Sequence, residues 1–400
     1  MKIVHIAPRA PYNDYWGYQD NLLPKYQKKL GHDVTMIVTN TMHKDGKIVE
    51  TDCADYVLND GVRVIRLKVK DYGNPVLTNL NSRLPVYKYL EEIKPDFIFY
   101  HSLHGTTIFD VIKYKKKVNP DCVIVQDNHM DYNNCNDPAG FKGQFCRAFQ
   151  RWVNRKTIPY ISKVYGVTPW RKMFAEDYYH IPKDKTDVLI MGADDEYLDI
   201  EHRDDQRRAV RTQYGFTPDD FVIVTGGRID KAKNIDTLIK ACAGLKDNVK
   251  LLVFGSVSPD FKSEFDKALS GAENVIYIGW IDSNKVYPYF FAADLVVFPG
   301  GHSVMWEQAC ASKTPCVFNY WDGMEHLNNG GNCICTSLHT EEEIRAVIES
   351  LLHTETYTVM QKVALSDKTD VYRYSSIAKK SLETSPIRDK TKRKNVRNNR

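Results

Sequence analysis

The chain of 400 residues has no Cys-x-x-Cys pair among its nine cysteines, no low-complexity tract and no apolar run long enough to cross a bilayer. The first absence removes a zinc ribbon or a disulfide framework and fits a reducing cytoplasm. The last makes the protein soluble or at most peripheral. The amino terminus, MKIVHIAPRAP, enters a short apolar strand directly, without the long apolar core of a secretion signal. The first strand leads into APRAPYNDYWGYQ, not into a closely spaced glycine triplet, which weakens any dinucleotide-binding dehydrogenase reading. A convincing pair of catalytic carboxylates, as glycoside hydrolysis needs, is also missing. Net charge is only +4, and its excess is crowded into the last residues as Lys390, Lys392, Arg393, Lys394, Arg397 and Arg400. Residues 389–400 are therefore read as a basic disordered tail, and no motif supports nucleic acid as a partner.

What is present is ordinary globular material, 42% hydrophobic and 26% charged, in a chain too long for one core. Short Val- and Ile-rich runs recur: KIVHIA from Lys2, DVTMIV from Asp33, FIFYHS from Phe97, CVIVQD from Cys122 and KVYGVT from Lys163. Apolar strands alternating with amphipathic stretches mark a parallel sheet covered on both faces. After Gly17 a helix is readable, with Leu22, Tyr26 and Leu30 on one face, Gly31 as its stop and Pro24 in its first turn. The pattern restarts with FVIVTGG, KLLVFG, NVIYIGW, DLVVFPG, PCVFNY and NCICTS, beginning at Phe221. The charged stretch from Gly192 to Arg211 lacks strand character and is read as the interdomain hinge. The expectation is α/β, with two Rossmann-like, doubly wound parallel-sheet domains over 1–195 and 196–368, facing across a cleft that holds the ligand. A helix within 369–388 returns to the first domain.

TGGRIDKAKNID, from Thr225, is the most informative segment. Gly226 and Gly227 at a strand end let backbone approach a ligand, while Arg228 and Lys233 place two cations ahead of a helix. Such a loop suits a diphosphate; the alternative is a surface Arg and Lys in a strand-to-helix turn. Positive groups aimed at a departing nucleoside diphosphate lower the barrier selectively as charge builds on it.

An Arg, four residues and a Lys after a Gly-ended strand resembles the family 4 retaining glycosyltransferases of the GT-B fold. Other segments follow in the family's order: YWGYQDNLLPKYQKKLGHDVTMIV with Gly17 in its glycine loop, FGS with Gly255, IGW with Trp280, and SVMWEQACASKTPCV. The resemblance covers about residues 1–380. It implies that Arg228 and Lys233 hold the donor diphosphate, that Glu307 accepts the ribose hydroxyls, and that backbone near Trp280 and Ile281 holds the base. The family's second glutamate, eight positions earlier, is replaced by Pro299 in a shortened FPGGHSV loop. Gly300, Gly301, His302, Ser303 and Val304 are the natural substitutes, through backbone N–H groups at a helix start.

In the first domain, His101, His104, Asp127, His129 and Asp131 cluster at strand ends, and His129 matches the family's histidine beside the reacting sugar. Asp127 and Asp131 about a histidine invite a metal, but the resemblance implies metal independence and no cofactor beyond the nucleotide-diphosphate sugar as donor substrate. Arg147, Arg151 and Arg155 recur every four residues in FKGQFCRAFQRWVNRKTIPYISK, with Phe145, Phe149 and Trp152 elsewhere around the helix. This is either a core-packed helix with a solvated basic face or a peripheral contact with the inner face of the membrane. The implied activity is hexosyl transfer to a saccharide or lipid-linked saccharide, most like bacterial surface-polysaccharide assembly. The alternatives are a sugar-nucleotide epimerase and a non-catalytic sugar-nucleotide-binding protein.

Overall fold

A computed structural model describes residues 1–135, 140–246 and 248–384. The basic tail and the end of the 369–388 segment lie outside the described residues.

The first domain carries β1 (Lys2–Ala7), β2 (Asp33–Thr39), β3 (Thr41–Lys44), β4 (Lys47–Glu50), β5 (Ala54–Val57), β6 (Arg63–Leu67), β7 (Phe97–Tyr100), β8 (Val123–Asn128), β9 (Lys163–Gly166) and β10 (Thr186–Val188). Eight of them form one sheet in the order β10-β9-β8-β7-β1-β2-β6-β5, parallel except for β5 at its edge, and β3 and β4 make a separate hairpin. The second domain carries β11 (Phe221–Ile229), β12 (Val249–Val257), β13 (Val275–Tyr277), β14 (Leu295–Phe298), β15 (Cys316–Asn319) and β16 (Cys333–Thr336). These run parallel in the order β13-β12-β11-β14-β15-β16. Both sheets are buried on two faces, which is why their strands read as continuous apolar runs. In each, strand order reverses beside the first strand, between β1 and β7 and between β11 and β14, and there the chain leaves a crevice at the carboxyl ends.

The helix after Gly17 spans Gln19–Lys29, so Pro24 falls in its second turn and not its first. There its missing N–H leaves the Asp20 carbonyl without an intrahelical donor. Leu22 and Tyr26 are buried as expected, whereas Leu30 is the exposed C-cap. The charged stretch also divides. Only its first part is connector, because Arg203–Gln213 is a helix of the second domain, held by Arg207 and Arg211 to Asp294 and to the Phe291, Ala292 and Ala293 carbonyls. Its arginines serve that docking, so charge density misled the reading.

Asp194 anchors the connector. Lys25 Nζ lies 2.8 Å from one of its oxygens and the Tyr26 hydroxyl donates to the other. The chain then returns: Tyr374–Ser381 is a helix whose Tyr374, Ile377 and Ala378 join the core of the first domain. Ala193 and Arg373 form a parallel bridge where the two crossings meet.

Candidate active site

The carboxyl end of β11 and the loop after β14 enclose a cavity of about 300 Å³, lined by Gly226, Gly227, Arg228, Lys233, Pro299, Gly300, Gly301, Ser303, Met305 and Trp306, among others. Close backbone approach dictates the glycines. Gly227 and Gly255 both have φ in the left-handed half, at +111° and +129°, and a Cβ on Gly255 would lie 1.8 Å from the Gly227 carbonyl oxygen. A Cβ on Gly300 would lie 2.3 Å from Lys233 Cα. The sheet edge and both loops thus touch through bare backbone.

Two cations face this cavity in different states. Arg228 is 74% exposed at its side chain, with Asp230 at 3.1 Å and Ser258 at 3.4 Å. Lys233 donates to the Gly301 carbonyl at 2.6 Å and the His302 carbonyl at 3.3 Å. Its ammonium titrates below the usual lysine range, because burial, opposed by Asp230 and reinforced by Arg228, disfavours its charge. Two of its three N–H donors are used, leaving one for an incoming anion. The backbone reading of the β14 loop needs one correction: the Gly301 N–H is already bonded to the Ala232 carbonyl at 3.0 Å and cannot serve a phosphate. Ser303 does line the cavity, and Val304 is the N-cap of the Met305–Ala311 helix.

Glu307 does not line this cavity. It is fully buried, with His302 Nε2 at 2.9 and 3.1 Å from its two oxygens and His326 Nε2 at 2.9 Å. Burial alone would raise its carboxyl, yet the two imidazoles outweigh that and hold it at about 2. His302, Glu307 and His326 bring three ligand atoms within 4.8 Å of one another, the one such group among the described residues. Each imidazole already donates Nε2–H to the carboxylate. His326 Nδ1 is buried without the outer acceptor that a metal-bound imidazole usually has. The cluster therefore reads as a hydrogen-bonded brace behind the cavity, tying the Met305–Ala311 helix to the loop at His326. His302 turns inward to it. Trp280 is largely exposed and Ile281 half-buried. Neither lines the 300 Å³ cavity; their segment is tied to the end of β12, where Gly255 N donates to the Gly279 carbonyl at 2.7 Å.

A second cavity, of about 930 Å³, opens at the carboxyl ends of β1, β7 and β8; Arg9, Gln19, Asp20, His101, His104, Asp127, His129 and Gln150 are among its walls. Gly17 precedes it in an open turn. Asp127 is its buried hub. One oxygen, Oδ2, takes His101 Nδ1 at 2.8 Å, His129 Nε2 at 3.3 Å and Gln19 Nε2 at 3.5 Å. Burial opposes its charge, but His101 and His129 hold the carboxyl well below the usual range. His129 reaches outward, 45% exposed at its side chain. His104 stands apart, bonded to the Tyr179 hydroxyl, and Asp131 is consumed by Arg171 and a turn at Asn133 and Asn134. Asp127 and Asp131 thus serve different partners. Arg9 has Asn79 as its partner through two neutral oxygens.

The Phe141–Thr157 helix corrects another expectation. Arg147 stacks on the Tyr178 ring and Arg151 Nε donates to the Tyr178 carbonyl at 2.6 Å, so two of its arginines face the protein. Phe141, Phe145 and Trp152 are exposed instead.

Sequence reasoning missed His5, Gln19, Asp20, Gln27 and His326. His5 had a signal, as a polar residue at a core position of an otherwise apolar strand; His326, in a loop, had none.

Two open sheets with ligand crevices at their facing carboxyl ends define the GT-B architecture, that of a large class of glycosyltransferases. Residues 206–366 match the family described as "Glycosyl transferases group 1". An "Uncharacterized glycosyltransferase MJ1607" of Methanocaldococcus jannaschii is 25% identical over 219 residues, which is 52% of this chain and 56% of that protein. The chain thus spans about half the length of the curated relatives it matches. Among solved structures, a glycosyltransferase from Rickettsia africae superposes with a TM-score of 0.69 at 17% identity, covering 96% of this chain and 97% of that one. HepE of Anabaena, solved with UDP-glucose, gives 0.62 at 15% identity over 96% and 99%.

Proposed function

We propose that the chain is a retaining glycosyltransferase of family 4 that moves a hexosyl group from a nucleotide-diphosphate sugar to a hydroxyl of a saccharide or lipid-linked saccharide, without a metal. The observation that carries this reading is the 300 Å³ cavity, where Arg228, Lys233 and close-approaching glycine backbone converge at the switch point of the second sheet. The match over residues 206–366 spans the same elements.

The chemistry follows from charge. As the bond from the anomeric carbon to the diphosphate breaks, its electron pair passes to the phosphate oxygen, and Arg228 and Lys233 stabilise the charge that accumulates. The acceptor oxygen bonds to the anomeric carbon from the same face, and its proton goes to the departing phosphate oxygen. No protein base is required, and His129, held by Asp127, orients the reacting hydroxyl from the 930 Å³ side. Surface-polysaccharide assembly at the cytoplasmic face of the membrane suits this reaction. No helix among the described residues is long and apolar enough to cross a membrane, and the exposed Phe141, Phe145 and Trp152 offer a peripheral contact.

The test is product analysis with common UDP-, GDP- and ADP-sugars, with EDTA or magnesium, against a panel of saccharide and lipid-linked acceptors. Transfer with retained anomeric configuration in EDTA supports the reading. Free epimerised sugar without acceptor, or binding without transfer across the panel, contradicts it.

A further inference from the structure

A line of buried polar groups runs from the returning helix to the larger cavity. Ser381, Gln27, His5 and Asp127 are all fully buried or nearly so, and His101 is only 5% exposed at its side chain. Burying five polar residues through the middle of an apolar domain is costly unless each proton has a place. Placing them in order gives a definite answer.

Ser381 Oγ donates to the Ala378 carbonyl at 2.7 Å, so the same oxygen accepts from Gln27 Nε2 at 2.9 Å. That fixes the amide with Oε1 toward His5 Nε2, 2.7 Å away. His5 Nε2 must therefore carry a proton. The other nitrogen of His5, Nδ1, lies 2.9 Å from His101 Nε2. With one proton on the His5 ring, Nδ1 is an acceptor and His101 Nε2 is the donor. His101 Nδ1 faces the Asp127 carboxylate at 2.8 Å and must also be a donor. His101 carries both protons. Burial and the charge on His101 push His5 down to about 3, in keeping with its single proton. Burial opposes the charge on His101, but Asp127 and then Asp20 raise it above the usual histidine range.

We propose that His5 is a positioning residue: with Gln27 it locks a proton on His101, so that His101 and Asp127 form a standing imidazolium–carboxylate pair beneath His129. The charged and titratable groups facing His101 are His5, Asp127 and Asp20, with His129 on the far side of Asp127. The Phe99 ring covers its face, stacked at 4.6 Å. A permanently ionised Asp127 keeps an acceptor for His129 Nε2 and leaves His129 Nδ1 for the cavity. The line ends in Ser381, on the helix that crosses back from the second domain, so the crossover is part of what fixes the proton. This deepens the proposed transfer reaction and rests on it only for the role of His129.

Two patterns compete: reversing the Gln27 amide turns every donor toward Asp127, and a second proton on His5 moves the charge there; His101 is neutral in both. Nitrogen NMR of the full-length protein carrying ¹⁵N-labelled histidine distinguishes both from the proposed pattern without any substrate, with His101→Asn identifying the resonances. The wild-type protein is expected to show His101 doubly protonated at pH 7. His5→Phe, which removes the acceptor for His101 Nε2–H, is expected to lower the midpoint of His101 by at least about one pH unit. His5→Asn, whose Oδ1 can stand where Nδ1 stood, restores it. In the enzyme assay the alkaline limb of kcat should move to lower pH in His5→Phe and return in His5→Asn, with the KM for donor unchanged. A neutral His101 in the wild-type spectrum overturns the proposal even if His5→Phe fails to fold. So does an unchanged His101 midpoint in a folded His5→Phe. Failure of the transfer reading alone would leave the NMR result standing.

Discussion

Lys233 Nζ donates to the Gly301 carbonyl at 2.6 Å, so the cation assigned to the donor diphosphate also ties the β11 loop to the β14 loop. Arg228, by contrast, extends into solvent. Substituting each by alanine should therefore separate two effects. Both variants are expected to lose at least about tenfold in turnover, roughly 1.4 kcal/mol of transition-state stabilisation. Only Lys233→Ala should also lower the melting temperature, because it removes the loop tie. Near-normal rates in both would contradict the diphosphate assignment.

Glu307 supplies a pH signature. Its carboxyl is held at about 2 against an ordinary 4.5, so its stabilising contribution is complete above about pH 4.5 and is lost as pH falls toward 2. A shift of that size corresponds to a few kcal/mol, about 3 as an order of magnitude. Glu307→Gln should be destabilised at pH 7 and should show a flatter stability curve than the wild type between pH 4.5 and 2. Parallel curves in chemical denaturation at several pH values would remove His302 and His326 as its counter-charges.

Gly255→Ala should be severely disruptive, because the new Cβ would need the space of the Gly227 carbonyl and a φ of +129° that L side chains rarely adopt. Loss of soluble, donor-binding protein is the expected outcome. A stable variant with unchanged nucleotide binding would mean that the β11 and β12 ends are not in contact.

The two sheets were legible because their strands are buried on both faces and read as apolar runs; β5 and the separate β3–β4 hairpin, short and half-exposed, were not, and neither was β6, whose buried run is interrupted by Arg66. The Gly226–Lys233 loop could be found because close backbone approach requires glycine and a phosphate requires cations. The pairing of Glu307 with His326 could not be found, since His326 lies nineteen residues away in a loop of no distinctive pattern. The line from Ser381 to Asp127 joins residues up to 354 positions apart and exists only once the last helix crosses back. Pro24 and the Gly192–Arg211 stretch were misplaced because local chemistry does not reveal which partner a helix will meet.

Asp194 joins the connector to the first helix through Lys25 and Tyr26. Replacing it by alanine leaves Lys25 paired with Glu196 but removes the acceptor of the Tyr26 hydroxyl, and should cost about 1–3 kcal/mol in urea unfolding, the range for a buried donor left unsatisfied. A change below about 1 kcal/mol, the value of an exposed ion pair, would show that the connector is anchored elsewhere.

The central claim is that the second-domain cavity binds a nucleoside diphosphate without a metal. Thermal-shift measurements with UDP, GDP, ADP, CMP, their common sugars and NAD, each in EDTA and in magnesium, test it most directly. The account predicts stabilisation by one nucleoside-diphosphate family in EDTA, lost in Arg228→Ala, by an amount that grows with ligand concentration. Stabilisation by NAD alone, or by no nucleotide in either condition, would contradict it.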